Sequence, residues 1–541
     1  MARIDGDDGD NSISAGSGGD SLYGHGGDDG LLGGVGDDFL EGGAGADWLL
    51  GWDGIDTIDY NGNAGVYVTL GYDDYWGYGF GGDAEGDLIF GVENIQGTGS
   101  FDDTLIGSPV DNVLSGYGGN DFLVGSGGND TLNGGSGDDF LEGGAGADAM
   151  NGGSGIDTVN YAYGSVGIFL GLDGFTCVGG DAAGDRLFGI ENVRGTYGED
   201  TLVGNDAVNV FYGNGSADYL AGYGGADTLR GDYGNDYLVG GAGADILIGG
   251  DGVDTASYYD SGTEVFVLVD SSYEGDATGV GEGYGGDAEG DRLYEIENLE
   301  GSRFGDALIG SAYDNVLSGL AGNDTLYGEA GNDTLDGGNG DDVLQGGAGA
   351  DMLVGGNGVD TVDYSGAVGV SVALSAGFAV LGEAEGDRFA GIENVAGTFQ
   401  RDILTGSATD NLLWGRGGDD ALVGLGGKDT LTGGAGADRF VYGAVAESEV
   451  GANADRITDF NHAEGDRIDP SAIDANTAVA DNQAFTFIGN AAFTHHAGEL
   501  RFAVLSPGVT AIAGDVNGDG VSDFHIQLTG TPALVAADFL L

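Results

Sequence analysis

Apolar positions along most of this chain recur every nine residues, which matches neither the alternation of an isolated strand nor the period of a helix. In the first stretch Asp20, Asp29, Asp38, Asp47 and Asp56 hold one phase. An apolar residue stands two places after each, at Leu22, Leu31, Leu40, Leu49 and Ile58. Residues Gly42 to Leu50 show one whole unit: a glycine-rich half closed by Asp47, then a short half with Leu49 as its apolar position. A fixed short period predicts a stack of units, each burying its apolar residue only against its neighbours. The expected fold is all-β: a parallel β-roll or β-helix solenoid of nonapeptide repeats, interrupted by wider β insertions and closed by a C-terminal β cap.

Five arrays keep this phase, over residues 1–60, 107–161, 204–258, 310–364 and 406–442. After the first, their aspartates are Asp121, Asp130, Asp139, Asp148 and Asp157; Asp218, Asp227, Asp236, Asp245 and Asp254; Asp324, Asp333, Asp342, Asp351 and Asp360; and Asp420, Asp429 and Asp438. Each of these four arrays opens on a degenerate pair in the same phase: Asp103 and Asn112, Asp200 and Asn209, Asp306 and Asn315, Asp402 and Asn411.

Insertions separate the arrays at 61–106, 162–203, 259–309 and 365–405. Alternating stretches such as Val66 to Leu70 and Val370 to Leu374 predict strands within them. Each ends on a nearly fixed phrase, of which Gly86-Asp87 to Glu93-Asn94-Ile95 and Gly386-Asp387 to Glu393-Asn394-Val395 are examples. Array plus insertion is therefore itself a repeat of roughly a hundred residues, and the insertions are expected to continue the same stack as wider coils. The variable part of the first insertion, Tyr72 to Phe80, is aromatic and acidic. It either stacks on sugar rings or packs back on the solenoid flank.

Composition turns the pattern into chemistry. With 119 Gly but 4 Pro the chain is not collagen, and 91 acidic against 14 basic residues give a net charge of -77. Such a surface repels nucleic acid and anionic lipid and calls for a divalent cation. Cys177 is the lone cysteine, so no internal disulfide forms. The sequence holds no apolar run long enough to span a membrane, and Met1 to Asp10 lacks the basic and apolar segments of a Sec-type signal.

If each coil holds two nonads, Asp20, Asp38 and Asp56 form one column and Asp29 and Asp47 the opposite one. Carboxylates on coils about 4.8 Å apart repel by roughly 1 kcal/mol per pair even in water, and ordering so much glycine costs further entropy. Calcium reverses the electrostatic sign. It accepts six to eight oxygens in loose geometry, which the aspartates and the carbonyls of the glycine-rich turns supply. Candidate turn ligands are Gly43 and Gly45, Gly144 and Gly146, Gly241 and Gly243, Gly347 and Gly349, and Gly434 and Gly436. Magnesium demands a tighter octahedron, and zinc would want His or Cys. At free calcium tenfold above its dissociation constant each site contributes about 1.4 kcal/mol, so on the order of fifteen sites exceed a typical domain's whole stability. The expected behaviour is an unfolded chain without calcium and a folded one in the millimolar range. A further stretch, Asp515 to Asp523, opens like an EF-hand loop but lacks its closing Glu, so it is either an ion loop or a β-turn.

The nonad Gly-Gly-x-Gly-x-Asp-x-apolar-x resembles the repeat of the RTX (hemolysin-type) family of secreted bacterial proteins. That resemblance implies a calcium-binding β-roll. Beyond Asp438 the words Asp455 to Phe460, Gly465 to Asp469, Ala484 to Gly489 and Ala497 to Phe502 are similar to the C-terminal domain of serralysin-type proteases, over Gly433 to Leu541. Residues 443–541 are accordingly expected to cap the last apolar layer, with strands at 439–442, 484–489, 499–505, 509–513 and 523–529. The ending Asp538-Phe539-Leu540-Leu541 resembles the uncleaved signal read by type I (ABC transporter) secretion machinery, or is simply the last strand of the cap.

No catalytic constellation accompanies the resemblance. The histidines, His25, His462, His495, His496 and His525, make no HExxH zinc motif, and His495-His496 with Glu499 is best taken as a surface turn. There is no nucleophile elbow, and Gly426-Gly427-Lys428-Asp429 lacks the Ser or Thr of a phosphate loop. The expectation is a non-enzymatic, secreted, extracellular or cell-surface scaffold, adhesion or matrix protein whose partners are calcium and the type I apparatus. The alternative is a calcium-dependent carbohydrate-binding or stabilising module beside a separate enzyme. Extracellular polysaccharide and self-assembly remain open as partners. A pore-forming role lacks the membrane-inserting segments it would need.

Overall fold

The computed structural model describes residues 2–541 except 73, 74, 173, 175, 176, 270–279, 367 and 531. Asp73 and Asp74 of the aromatic and acidic stretch thus lie outside the described residues. Among those described, there is no α-helix; strands of two to eight residues alternate with turns and a few single 3-10 turns. The chain divides into two compact units, Met1–Ser257 with Ala288–Ile296, and Tyr258–Asp287 with Glu297–Leu541.

In the first unit each nonad contributes one strand, and nonads two apart pair in parallel. Arg3–Asp5, Ser21–Gly26, Phe39–Ala44 and Thr57–Asp59 stack on one side, and Ser12–Ser14, Gly30–Val35 and Trp48–Asp53 on the other. The register is strict: Leu22 lies over Leu40 and Leu31 over Leu49. Every inward apolar position of the run, Leu22, Leu31, Leu40, Leu49 and Ile58, is 0 % exposed. A strand such as Phe39–Ala44 buries Leu40 and Gly42 and leaves its other residues half-exposed or exposed. One side chain per strand is a thin core, and the stack depends on what closes the turns.

The first insertion stays in this stack. Thr57–Asp59 is followed in register by Asn94–Gln96 and then Val113–Gly118. On the other side the chain runs ahead to Tyr67–Thr69, which pairs in parallel with Thr104–Ile106. It then folds back through antiparallel Gly77–Phe80 to Leu88–Phe90, which sits beside Trp48–Asp53. The extra width is thus one reversed strand laid into a parallel stack. The predicted strand at Val66 to Leu70 is observed as Tyr67–Thr69.

The second unit repeats the scheme. Ser371–Ala373 pairs with antiparallel Phe378–Val380 and with parallel Ile403–Thr405. Its end departs from the nonad rule. Glu499–Ser506, Val509–Asp515 and Phe524–Thr529 form an antiparallel meander, whose last strand pairs in parallel with Asp455–Ile457. Leu528, Ile526 and Leu500 close over the apolar column that ends in Phe440, Ile457 and Ile468, all at most 1 % exposed. The strand predicted at 484–489 shrinks to Thr486–Phe487. The chain ending packs too: Leu540 N–H donates to the Ile468 carbonyl at 3.0 Å, and the Phe539 ring lies 4.9 Å from that of Phe487.

Candidate metal centre

The aspartates stand in the columns their spacing requires, and each is tied to the next coil by a hydrogen bond. The Asp29 N–H donates to Oδ1 of Asp47 at 2.7 Å, that of Asp20 to Asp38 at 2.7 Å, and that of Asp38 to Asp56 at 2.7 Å. The same 18-residue contact, at 2.7 to 3.0 Å, runs through the other four arrays. Apart from Asp20, which is half-buried and accepts from the Ala2 N–H, no array aspartate is more than 3 % exposed. Stacked carboxylates are therefore not simply facing one another, because a backbone N–H intervenes at every rung and supports one oxygen of each.

The other oxygen has no such support. Oδ2 of Asp29, Asp38, Asp47 and Asp56 is buried without a hydrogen-bond partner, as is that of Asp121, Asp130, Asp139, Asp148 and Asp157. The same holds for Asp218, Asp227 and Asp236, for Asp324, Asp333, Asp342, Asp351 and Asp360, and for Asp420, Asp429 and Asp438. Buried ionised oxygens without donors are costly, and here they recur in phase with the repeat.

At several of these aspartates a second oxygen lies close by. A Cβ built on Gly125 would lie 2.2 Å from Asp130 Oδ2 and 2.5 Å from the Gly143 carbonyl oxygen. On Gly24 it would lie 2.3 Å from Asp29 Oδ2 and 2.4 Å from the Gly42 carbonyl. Carboxylate and carbonyl oxygens thus converge on one small space with no N–H of the chain donating to the carboxylate oxygen. This donor set, all oxygen and no sulfur or imidazole, fits a hard dication such as calcium.

Among the turn glycines, Gly43 and Gly45 show why the coils demand glycine. Gly43 has φ +92°, and a Cβ on Gly45 would come within 1.8 Å of the Gly27 carbonyl oxygen on the preceding coil. Gly144 and Gly146, Gly347 and Gly349, and Gly434 and Gly436 repeat both features, as do Gly241 and Gly243 in their contact with Tyr223 and Gly225.

Burial and neighbouring carboxylates push these groups up. Asp121, Asp130, Asp324 and Asp333 reach about 7, and Asp218 and Asp420 about 8. Desolvation is the largest cause in each, the ladder N–H opposes it, and adjacent carboxylates add to it. Asp429 also rises to about 8, with Asp455 as its nearest repelling partner.

Sequence reasoning missed residues that continue the columns through the insertions. Asp47 N–H donates to Asp87 at 2.8 Å, Asp148 to Asp185 at 2.8 Å, Asp245 to Asp291 at 2.8 Å and Asp351 to Asp387 at 3.0 Å. In the opposite column Glu93, Glu191 and Glu393 accept from Asp56, Asp157 and Asp360 at 2.8 to 3.0 Å. The nearly fixed phrase is fixed because it supplies one acidic residue to each column. The same step opens the C-terminal region, where Asp455 and Asp466 accept from Asp429 and Asp438, both at 3.0 Å.

At Asp515 to Asp523 the carboxylates are already occupied. Asp515 accepts from Gly518 and Gly520 N–H at 2.7 and 2.9 Å, and Asp523 from Val516 N–H at 2.7 Å and from the Asn517 side chain at 2.8 Å. These contacts are of the kind the β-turn reading expects. His495 meets the Asp519 carbonyl oxygen at 2.8 Å, and His496 and Glu499 both turn to Thr494, as a surface turn would have them.

The aromatic stretch of the first insertion is partly exposed. Trp76 packs on Trp48 at 5.8 Å and on Phe90 at 5.2 Å, while Tyr78 contacts Phe80 at 5.3 Å and Tyr67 at 6.3 Å. Trp48, Trp52, Trp76 and Phe80 nevertheless remain more than two-fifths exposed, and Tyr75 is 79 % exposed.

Comparison with known families matches the RTX calcium-binding nonapeptide repeat at 5–40, 31–58, 97–132, 124–159, 194–229 and 221–256. The C-terminal model of the serralysin (M10) peptidases matches residues 296–541, a start well before Gly433. No curated protein matches the sequence. Among solved structures, the extracellular lipase LipA from Serratia marcescens aligns at 15 % identity and a TM-score of 0.11 over 64 % of this chain. The chain spans 40 % of that lipase structure, and an overlap so slight bears on neither fold nor function. No helix among the described residues is long and apolar enough to cross a membrane.

Proposed function

Because the chain carries RTX calcium-binding repeats and a serralysin-type C-terminal region, we propose that it is a non-enzymatic extracellular or cell-surface scaffold that calcium folds after type I export. The observation that carries this is the recurring buried Oδ2 opposite a carbonyl oxygen. The ligands are the array aspartates together with carbonyl oxygens of the glycine-rich turns, and the cation supplies the positive charge those oxygens lack. The chain's own part is to hold Oδ1 on the ladder N–H so that Oδ2 stays aimed at the gap.

At cytosolic calcium the gaps are empty, the carboxylates repel and a core of one residue per strand does not hold the stack. A chain that stays unfolded inside the cell also keeps its ending accessible; once folded, Phe539 and Leu540 are docked on Phe487 and Ile468. If the C-terminus leaves first, the cap and the fifth array fold first and template the coils behind them. The test is secretion at graded external calcium: export should weaken as calcium falls, and export indifferent to calcium with Asp420, Asp429 and Asp438 intact sinks this part of the proposal.

A second function, calcium-dependent binding of a polysaccharide, is favoured by the exposed rings around Trp48, Trp52 and Trp76. Rings of this kind offer flat apolar faces to sugar rings. Glycan binding lost on changing Tyr75 and Trp76 to alanine would favour it, and ordered self-association in calcium without any glycan would favour the scaffold.

A further inference from the structure

The ladders contain rungs of two kinds, and one backbone angle separates them. Four places before Asp29, Asp56, Asp121, Asp227, Asp324 and Asp429 stand His25, Trp52, Tyr117, Tyr223, Leu320 and Leu425. All six are non-glycine residues held at φ between 65° and 76°, a conformation that bulky side chains avoid. A residue so turned does not bring its N–H to the carboxylate, and Oδ2 of each of these aspartates is left without a donor.

The degenerate openings lack that turn, and their second oxygen is satisfied. Thr98 and Thr398 N–H donate to Oδ2 of Asp103 and Asp402 at 2.6 and 2.7 Å, and Thr196 and Ser302 do the same for Asp200 and Asp306 at 2.5 Å. Asn112 is satisfied at both ends: its Oδ1 accepts from Ser108 N–H at 2.6 Å, and its Nδ2 donates to the Glu93 carbonyl at 2.7 Å. Asn411 copies it with Ser407 and Glu393, at 2.6 and 2.7 Å.

A third device serves the insertion phrase. Buried tyrosine hydroxyls donate to Oδ2 of Asp87, Asp185 and Asp387, from Tyr60 at 3.0 Å and from Tyr161 and Tyr364 at 2.7 Å. In every case a proton from the chain occupies the place that the array leaves to a cation.

We propose that the calcium ladder is interrupted by construction. Rungs with the positive-φ turn take calcium, and rungs closed by a Ser or Thr N–H, an Asn side chain or a tyrosine hydroxyl are cation-free spacers that divide the arrays into separate calcium blocks. The proposal rests on the calcium-folded reading above and goes further by assigning which rungs hold the ion. The cradle at Asn112 is otherwise complete: a Cβ on Gly107 would lie 2.4 Å from Asn112 Oδ1 and 2.6 Å from the Gly125 carbonyl oxygen. Replacing Asn112 by Asp sets a carboxylate against the Glu93 carbonyl, which a cation reconciles.

The test is native mass spectrometry of the full calcium-loaded chain, which counts bound ions. The double change Ser108→Gly, which admits the positive-φ turn and so can carry that N–H off the side chain, with Asn112→Asp is expected to add one calcium. Tyr161→Phe, which keeps the ring and removes only the hydroxyl, is expected to add one at Asp185. A wild-type chain that binds no calcium overturns the calcium reading itself. Wild-type binding with unchanged counts in both variants overturns this proposal alone.

Discussion

Substituting Asp139, in the middle of the second array, separates the two jobs assigned to each ladder aspartate. Its Oδ1 accepts the Asp121 N–H at 2.8 Å, and its Oδ2 is buried without a partner. Asp139→Asn keeps the acceptor and removes the charged oxygen; Asp139→Ala removes both. A site working above its dissociation constant gains about 1.4 kcal/mol for each tenfold rise in free calcium. Between 1 and 10 times a reference calcium concentration in that regime, Asp139→Asn is therefore expected to gain about 1.4 kcal/mol less than wild type. Against this, losing a carboxylate from a column spaced about 4.8 Å apart relieves roughly 1 kcal/mol per neighbour even at water's dielectric. Asp139→Asn should thus be markedly weaker at high calcium and close to wild type as calcium is lowered. Asp139→Ala adds a buried, unpaired Asp121 N–H, a further ~1–3 kcal/mol at every calcium concentration. The assay is urea unfolding followed by circular dichroism at the two calcium concentrations. If Asp139→Asn keeps the full wild-type calcium slope, the carboxylate acts only as a hydrogen-bond acceptor and the ligand assignment fails.

Three further outcomes follow from the same geometry. In the metal-free fold, Asp121, Asp130, Asp324 and Asp333 titrate near 7 and Asp218, Asp420 and Asp429 near 8, above the unfolded value of about 3.9. Raised folded values mean that the folded state holds more protons, so their contribution is full below about 4 and is lost as pH rises through 7 to 8. In EGTA, lowering the pH from 8 to 5 should therefore recover β signal. Over the same window calcium binding should release protons, measurable by titration in weak buffer. Gly45→Ala and Gly146→Ala each place a methyl within 2 Å of a carbonyl oxygen on the preceding coil. Each is expected to destabilise the calcium-bound chain by about 1–3 kcal/mol in urea melts, and wild-type stability in either would contradict the coil spacing.

Much of this was legible because the period is strict. Asp47 followed by Leu49 places both a column and a core position once two nonads are folded into a coil, and the observed pairing of Leu31 with Leu49 is that coil. The fixed phrase was legible too, but as a repeat without a role. Asp87 with Ile89 and Glu93 with Ile95 obey the same rule of an acid followed two places later by a buried apolar residue. Applying the rule there would have found the column continuing. Other features leave no such mark. Leu320 and Leu425 stand at left-handed positions that composition assigns to glycine, because the stack around them, and not the residue, imposes the angle. Tyr161 and Asp185 are far apart in sequence, and their hydrogen bond exists only after the insertion has folded back. The reversed strand Gly77–Phe80 is similarly set by tertiary pairing with Leu88–Phe90, which no local periodicity announces.

The central claim is that calcium makes this fold. Far-UV circular dichroism of the full chain at pH 7.5, recorded in EGTA and then in millimolar calcium, tests it most directly. A disordered spectrum converting to a β spectrum on calcium addition, and reverting on chelation, is the predicted result. The same β signal in EGTA as in calcium would contradict it.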